Sequence, residues 1–153
     1  MKKFKTVMAI FIVTIIVLPI ALYFGIVITN NSIADKVEKS LVKYQLPPQT
    51  EIVDSVSFAG KLTGNGNGMQ YMGAILIKSD LTEKQLTEYY KNNFDYIEIN
   101  KQQSNTIIFD LSDLSFQAEL EEDKTYYSVV CWGSNKELSP LSQVLLDFDI
   151  RGH

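Results

Sequence analysis

Apolar side chains are spread unevenly along this chain, and their spacing divides it into parts. From Val7 to Ile28 the run VMAIFIVTIIVLPIALYFGIVI carries no charge, and only Thr14, Pro19 and Gly25 interrupt its large apolar residues. As a helix at about 1.5 Å per residue it spans roughly 33 Å, enough to cross the hydrocarbon layer of a bilayer. No face of such a helix is polar, which argues against a buried core helix, and membrane helices tolerate a proline such as Pro19. The competing reading is a cleaved secretory signal. Lys2, Lys3 and Lys5 precede the run, and Ser32-Ile33-Ala34 puts small residues where a signal peptidase reads them. The run exceeds the usual core of about 7–15 residues, and no cysteine for lipid attachment follows before Cys131. The pattern therefore predicts a retained transmembrane anchor.

Flanking charge orients it. Thr6 alone separates Lys5 from the span, whereas Lys36, Lys39 and Lys43 stand farther from its other end. Residues 1–6 are expected in the cytoplasm, 7–28 in the membrane and 29–153 outside, with secretion after cleavage as the minority alternative. Thr29 to Ser32 reads as a short polar exit. Ile33, Val37, Leu41 and Tyr44 then recur at helical spacing until Leu46-Pro47-Pro48, so 29–48 reads as an exit and stalk helix. Its stripe suits packing on its own domain, and fewer than two heptads do not argue a coiled coil.

From residue 49 the period changes. Glu51–Ala59 reads as a strand with Ile52, Val56 and Phe58 on one face, and Gln70–Lys78 as a central strand covered on both faces. Between them two Asn-Gly steps signal a hairpin, with Gly66 and Gly68 expected at positive φ. The glycines precede a strand rather than a helix, which disfavours a nucleotide-binding loop. Leu62, Thr63, Asn65 and Asn67 are left as candidate partner contacts at a tip that carries no core.

Asp80 with Glu83 predicts a capped helix, with Leu86, Tyr89, Tyr90 and Phe94 inside and Asn92-Asn93 as a left-handed stop. A meander is expected next, with strands over Tyr96–Asn100, Thr106–Leu111, Phe116–Leu120 and Thr125–Trp132. Ser139-Pro140 can start one helical turn. Val144, Leu146, Phe148 and Ile150 then alternate as a last strand, and a helix through Leu141, Leu145 and Phe148 is the alternative. Seven strands and one internal helix make an antiparallel α+β domain over residues 49–153.

Composition narrows the chemistry. Fourteen basic and eighteen acidic residues give a net charge of −4. All eighteen acids but only eleven of the bases lie from Asp35 onward, so the domain is acidic and unsuited to nucleic acid. The only cysteine, Cys131, sits in an apolar strand, and the only histidine, His153, is the last residue. A catalytic triad or a zinc site would have to be built from that terminus, so no cofactor, metal or catalytic residue is assigned. Asp110 with Asp113, Glu121 to Asp123, and Asp147 with Asp149 could hold calcium or serve a glycosidase, but none matches a calcium-loop spacing and ordinary solvated turns explain them better. Tyr126, Tyr127 and Trp132 could stack on a sugar, although alternation buries some of them.

The segment LPPQTEIVDSVSFAGKLTGNGNGMQYMGAILIKSD, with the DIRGH terminus, resembles uncharacterised small membrane-anchored proteins of Gram-positive bacteria. The resemblance covers about a third of the chain and implies a bacterial envelope setting, with no activity or site residues. The expected function is a membrane-anchored extracytoplasmic binding or interaction module, contacting lipid through its anchor and a protein or cell-wall partner through its domain. Two alternatives stand beside it. One is a pseudopilin-like subunit, although that family expects a glycine-phenylalanine cleavage site and a glutamate in the apolar run. The other is a carboxylate-based envelope hydrolase.

Overall fold

The computed structural model describes residues 2–63 and 68–151. A single helix, α1 (Lys2–Lys43), runs from the apolar span into the domain without interruption. At about 1.5 Å per residue it is roughly 63 Å long. The polar exit expected at Thr29–Ser32 is helical, and the reason is local. Thr29 Oγ1 donates to the Gly25 carbonyl one turn back at 2.8 Å. Asn30 spends its side chain on distant partners, so it does not compete for its own backbone.

Four strands form the main sheet: β1 (Thr50–Gly60), β2 (Gln70–Ser79), β3 (Ile97–Gln102) and β6 (Tyr126–Gly133), in the order β1-β2-β6-β3. Every pairing is antiparallel. Strand β2 lies inside the sheet, and every residue from Tyr71 to Ile77 is buried, as its unbroken apolar run predicts. A short hairpin of β4 (Thr106–Ile108) and β5 (Asp113–Ser115) forms a second sheet.

The two sheet faces carry separate cores. On one, Ile75, Ile77, Val129 and Cys131 pack against Leu41 of α1 and against Leu86 and Tyr90 of α2 (Glu83–Tyr90). On the other, Met72, Ala74, Leu76 and Val130 meet Leu62, Ile107 and Phe116. Helix α1 reaches the first face closely because glycines clear its path. A Cβ on Gly73 would lie 2.2 Å from the Glu38 amide nitrogen, and one on Gly133 2.4 Å from Val37 Cγ2.

Several expectations are corrected. The β1–β2 register shifts between Ile52 and Asp54, so Ile52 joins the helix-side core while Val56 and Phe58 join the other. One extra residue inverts side-chain parity, which simple alternation does not register. Helix α2 is capped by Thr82 with Gln85, two residues later than Asp80 with Glu83, and Lys91 ends it in right-handed geometry. Asn92 and Asn93 have negative φ; among the described non-glycine residues only Gln49 is positive, at 58°.

The segment 116–120 keeps its alternation, with Phe116 buried and Gln117 and Glu119 exposed. It is not a strand, because Asp54 Oδ2 takes the Gln117 and Ala118 amides at 2.6 and 3.0 Å in place of a ladder partner. Strand β4 is likewise shorter than Thr106–Leu111. The last strand expected over residues 143–150 is instead a helix, α3 (Pro140–Leu146), with Ser139 as N-cap and proline at its start. Six strands and three helices thus make up the α+β fold among the described residues.

Candidate functional site

Where α1 leaves the apolar span, the chain's far end folds back onto it. Asn30 is fully buried and lies at the centre of the contact. Its amide donates to Asp149 Oδ2 at 2.9 Å and to the Leu146 carbonyl at 3.1 Å, and its carbonyl oxygen accepts from the Tyr71 hydroxyl at 2.9 Å. Asn135 Nδ2 donates to that hydroxyl at 3.3 Å. One asparagine therefore joins α1, the central strand and the C-terminal segment.

Asp149 is the only fully buried carboxylate among the described residues, and Arg151 neutralises it. The guanidinium Nη2 lies 2.6 Å from Oδ2 and Nε 2.9 Å from Oδ1. Burial alone would raise the Asp149 pKa, but hydrogen bonds from Arg151 and Asn30 outweigh it and hold the carboxyl below its ordinary range. The Arg151 guanidinium also donates to Asn31 Oδ1 at 2.8 Å and points at the Val27 carbonyl at 3.5 Å. Tyr71 is raised above its usual value, first by burial and further by the charges of Asp147 and Asp149, against the lowering bond from Asn135. Asp147 Oδ1 accepts the Met69 amide at 2.8 Å, fastening the base of the β1–β2 loop to the same cluster.

This cluster changes the account of the predicted contact residues. The β1–β2 turn lies at the end of the sheet nearest the apolar run of α1. Leu62 is fully buried in the second core and is withdrawn as a contact residue: the loop enters the core before it turns. The Gln70 side chain holds it there, accepting from the Leu62 and Thr63 amides at 2.7 and 2.9 Å. Thr63 is half-buried at this staple. Asn65, Gly66 and Asn67 lie outside the described residues. Gly68 does not have the expected positive φ, and a Cβ there would meet only Asp147 Oδ1, at 3.7 Å.

A second feature is an open groove of about 370 Å³ between α1 and the segment 131–138, with Lys36, Val37 and Ser40 on one wall and Trp132, Ser134 and Glu137 on the other. Its size falls in the range of small-ligand clefts, and its lining mixes both charges with apolar surface. Cys131 lies at its floor, and burial, with a smaller contribution from Asp95, pushes the thiol up to about 11. That places the thiolate out of reach at neutral pH and leaves the side chain a packing role.

The other acids raised by sequence have structural partners or stand apart. Glu121 lies 3.9 Å from Lys78, and no group of three His, Cys, Asp or Glu side chains among the described residues is placed to hold a metal. Asp147 and Asp149, expected on one strand face, instead follow α3 and fasten the C-terminal segment.

Sequence reasoning missed Asn30, Tyr71 and Arg151. Asn30 was hidden in a stretch that looked like a solvated exit, and Tyr71 in a buried strand. The available signal was Asp149-Ile150-Arg151, an acid and a base two apart in a segment otherwise rich in large apolar residues. No family model, curated protein or solved structure matches this chain.

Proposed function

We propose that this chain is a membrane-anchored interaction module of the bacterial envelope: α1 is retained in the membrane, residues 1–6 face the cytoplasm, and the domain engages a protein or cell-wall partner outside. The observation that carries the reading is the burial of Asn30. A signal peptide leaves without disturbing the mature fold, but cutting after Ala34 would remove Asn30 and Ala34 from the domain's interior. The buried amide partners on Asp149 and Tyr71 would then be lost, at a cost of about 1–3 kcal/mol for each group left unpaired. An anchor built into the domain holds it at a fixed height and orientation, which suits presentation of a surface to a neighbour. The groove beside Lys36 and Glu137 is the partner surface we favour.

The test uses intact cells. A cysteine at Lys101, at the end of the sheet farthest from the span, should react with a membrane-impermeant maleimide while Cys131 stays silent. A photo-crosslinking residue at Lys36 should give a discrete adduct that the same residue at Lys101 does not. Labelling only after lysis, or no adduct from the groove, would refute the reading.

A second reading draws on one observation. An unbroken helix, half apolar and half packed on a four-stranded antiparallel sheet, is also the outline of a pseudopilin. The run lacks the glycine-phenylalanine site and the glutamate of that family, so the interaction module is preferred. Filaments containing this chain would reverse the preference.

A further inference from the structure

Helix α3 turns its apolar side away from the protein. Leu141, Val144, Leu145 and Phe148 recur at spacings of three, one and three, which is one helical stripe, and they are 70%, 57%, 45% and 63% exposed. Ile150 extends the patch, and only Leu146 of the helix is buried. The opposite side carries Ser139, Gln143 and Asp147, which are engaged in hydrogen bonds within the protein. So many large exposed apolar side chains on one short segment call for a cover.

The position of α3 identifies that cover. An apolar crevice separates it from α1, lined by Leu22, Gly25, Ile26 and Thr29 on one side and Leu138 and Leu145 on the other. Residues 22–28 are the last two turns of the span, a rise of roughly 10 Å, and Thr29 follows them directly. Helix α3 therefore stands beside α1 at the depth where the span leaves the hydrocarbon. On α1 the neighbouring side chains Leu22, Phe24 and Ile28 are 60%, 59% and 67% exposed, so the patch continues a surface already turned to lipid. Interfacial helices sit about 5–10 Å into the boundary between headgroups and acyl chains, which matches this placement.

We propose that α3 and the residues after it form a foot embedded in the leaflet on the domain's side, with lipid acyl chains covering Leu141, Val144, Leu145, Phe148 and Ile150 and filling the crevice beside Gly25. The inference rests on α1 being a membrane anchor. With the latch around Asn30, the foot makes a second attachment to the bilayer, so the domain stands on the surface instead of swinging from a tether. Arg151 points back at the Val27 carbonyl, at the end of the span, where a long basic side chain reaches the interface.

The experiment is depth-dependent quenching in the full chain, reconstituted in vesicles of phosphatidylcholine and phosphatidylglycerol with or without acyl-chain bromination. In a Trp132→Phe background, a single tryptophan is introduced by Phe148→Trp, or by Leu141→Trp as a second probe of the same face. Phe24→Trp reports the span and Lys101→Trp the far end of the sheet. The foot requires the Phe148→Trp and Leu141→Trp proteins to lose most of their emission in brominated vesicles, as Phe24→Trp does, while Lys101→Trp keeps its own. If Phe24→Trp is quenched but both foot probes are unchanged, the foot is wrong and the anchor stands. Unquenched foot probes with blue-shifted emission would mean that protein covers the face, which also overturns the proposal. If Phe24→Trp itself is unquenched, the anchor reading fails and takes the foot with it.

Discussion

At the scale of single residues, glycine marks where α1 meets the sheet. Gly73 faces the helix backbone itself, since its Cβ would lie 2.2 Å from the Glu38 nitrogen and 2.5 Å from its Cα. Backbone cannot rotate away, so Gly73→Ala must separate helix from sheet and should cost about 3 kcal/mol or more. Gly68→Ala, with only Asp147 Oδ1 nearby at 3.7 Å, should melt within a degree or so of wild type. Paired melting curves of the detergent-solubilised protein check both.

Leu62 provides a second check. Its side chain is fully buried, so Leu62→Ala should lose about 2–5 kcal/mol, where a loop tip without core contacts would lose almost nothing. Asp149 provides a third. Its folded carboxyl binds a proton less readily than the ordinary value of 3.8, so the stability it contributes is complete above that value and lost as pH falls through the lower folded one. Acid unfolding followed by circular dichroism should steepen below pH 3.8 in wild type and less so in Asp149→Asn, which should already be weaker at neutral pH because Arg151 is left unpaired.

At the scale of elements, α1 belongs to two environments, and the boundary between them is not a break. A domain beginning at Thr29 keeps Asn30, Ile33 and Ala34, whereas one beginning at Asp35 loses all three. The longer one should melt several degrees higher, and equal melting would mean that the latch contributes nothing. Much of this architecture is legible in the sequence. The span, the buried run of β2 and the stripe Ile33-Val37-Leu41 each carry a period that one environment imposes along a whole element. The rest depends on single contacts without a period. One inserted residue near Val53 reverses the facing of β1, and the Asp54 carboxylate substitutes for a strand at 116–120. Alternation from Val144 to Ile150 imitates a strand, yet Ser139 caps and Pro140 starts a helix there. The latch was hidden for the same reason: Asn30 and Asp149 are 119 positions apart, and only the fold brings them together.

At the scale of the molecule, the chain is a rod with a domain built around its upper half. The core on one sheet face includes the helix, so helix and domain cannot be exchanged for others without loss. In the function we propose, such a fusion would hold a partner-binding surface at a set distance from the bilayer, which a flexible tether cannot do. The central claim is that the apolar helix is retained as part of the fold. It is tested most directly by the intact mass and amino-terminal sequence of the native protein recovered from carbonate-washed membranes. The account predicts a chain that still begins upstream of Val7 and stays with the membrane; a mature chain beginning at Asp35 in the soluble or secreted fraction would contradict it.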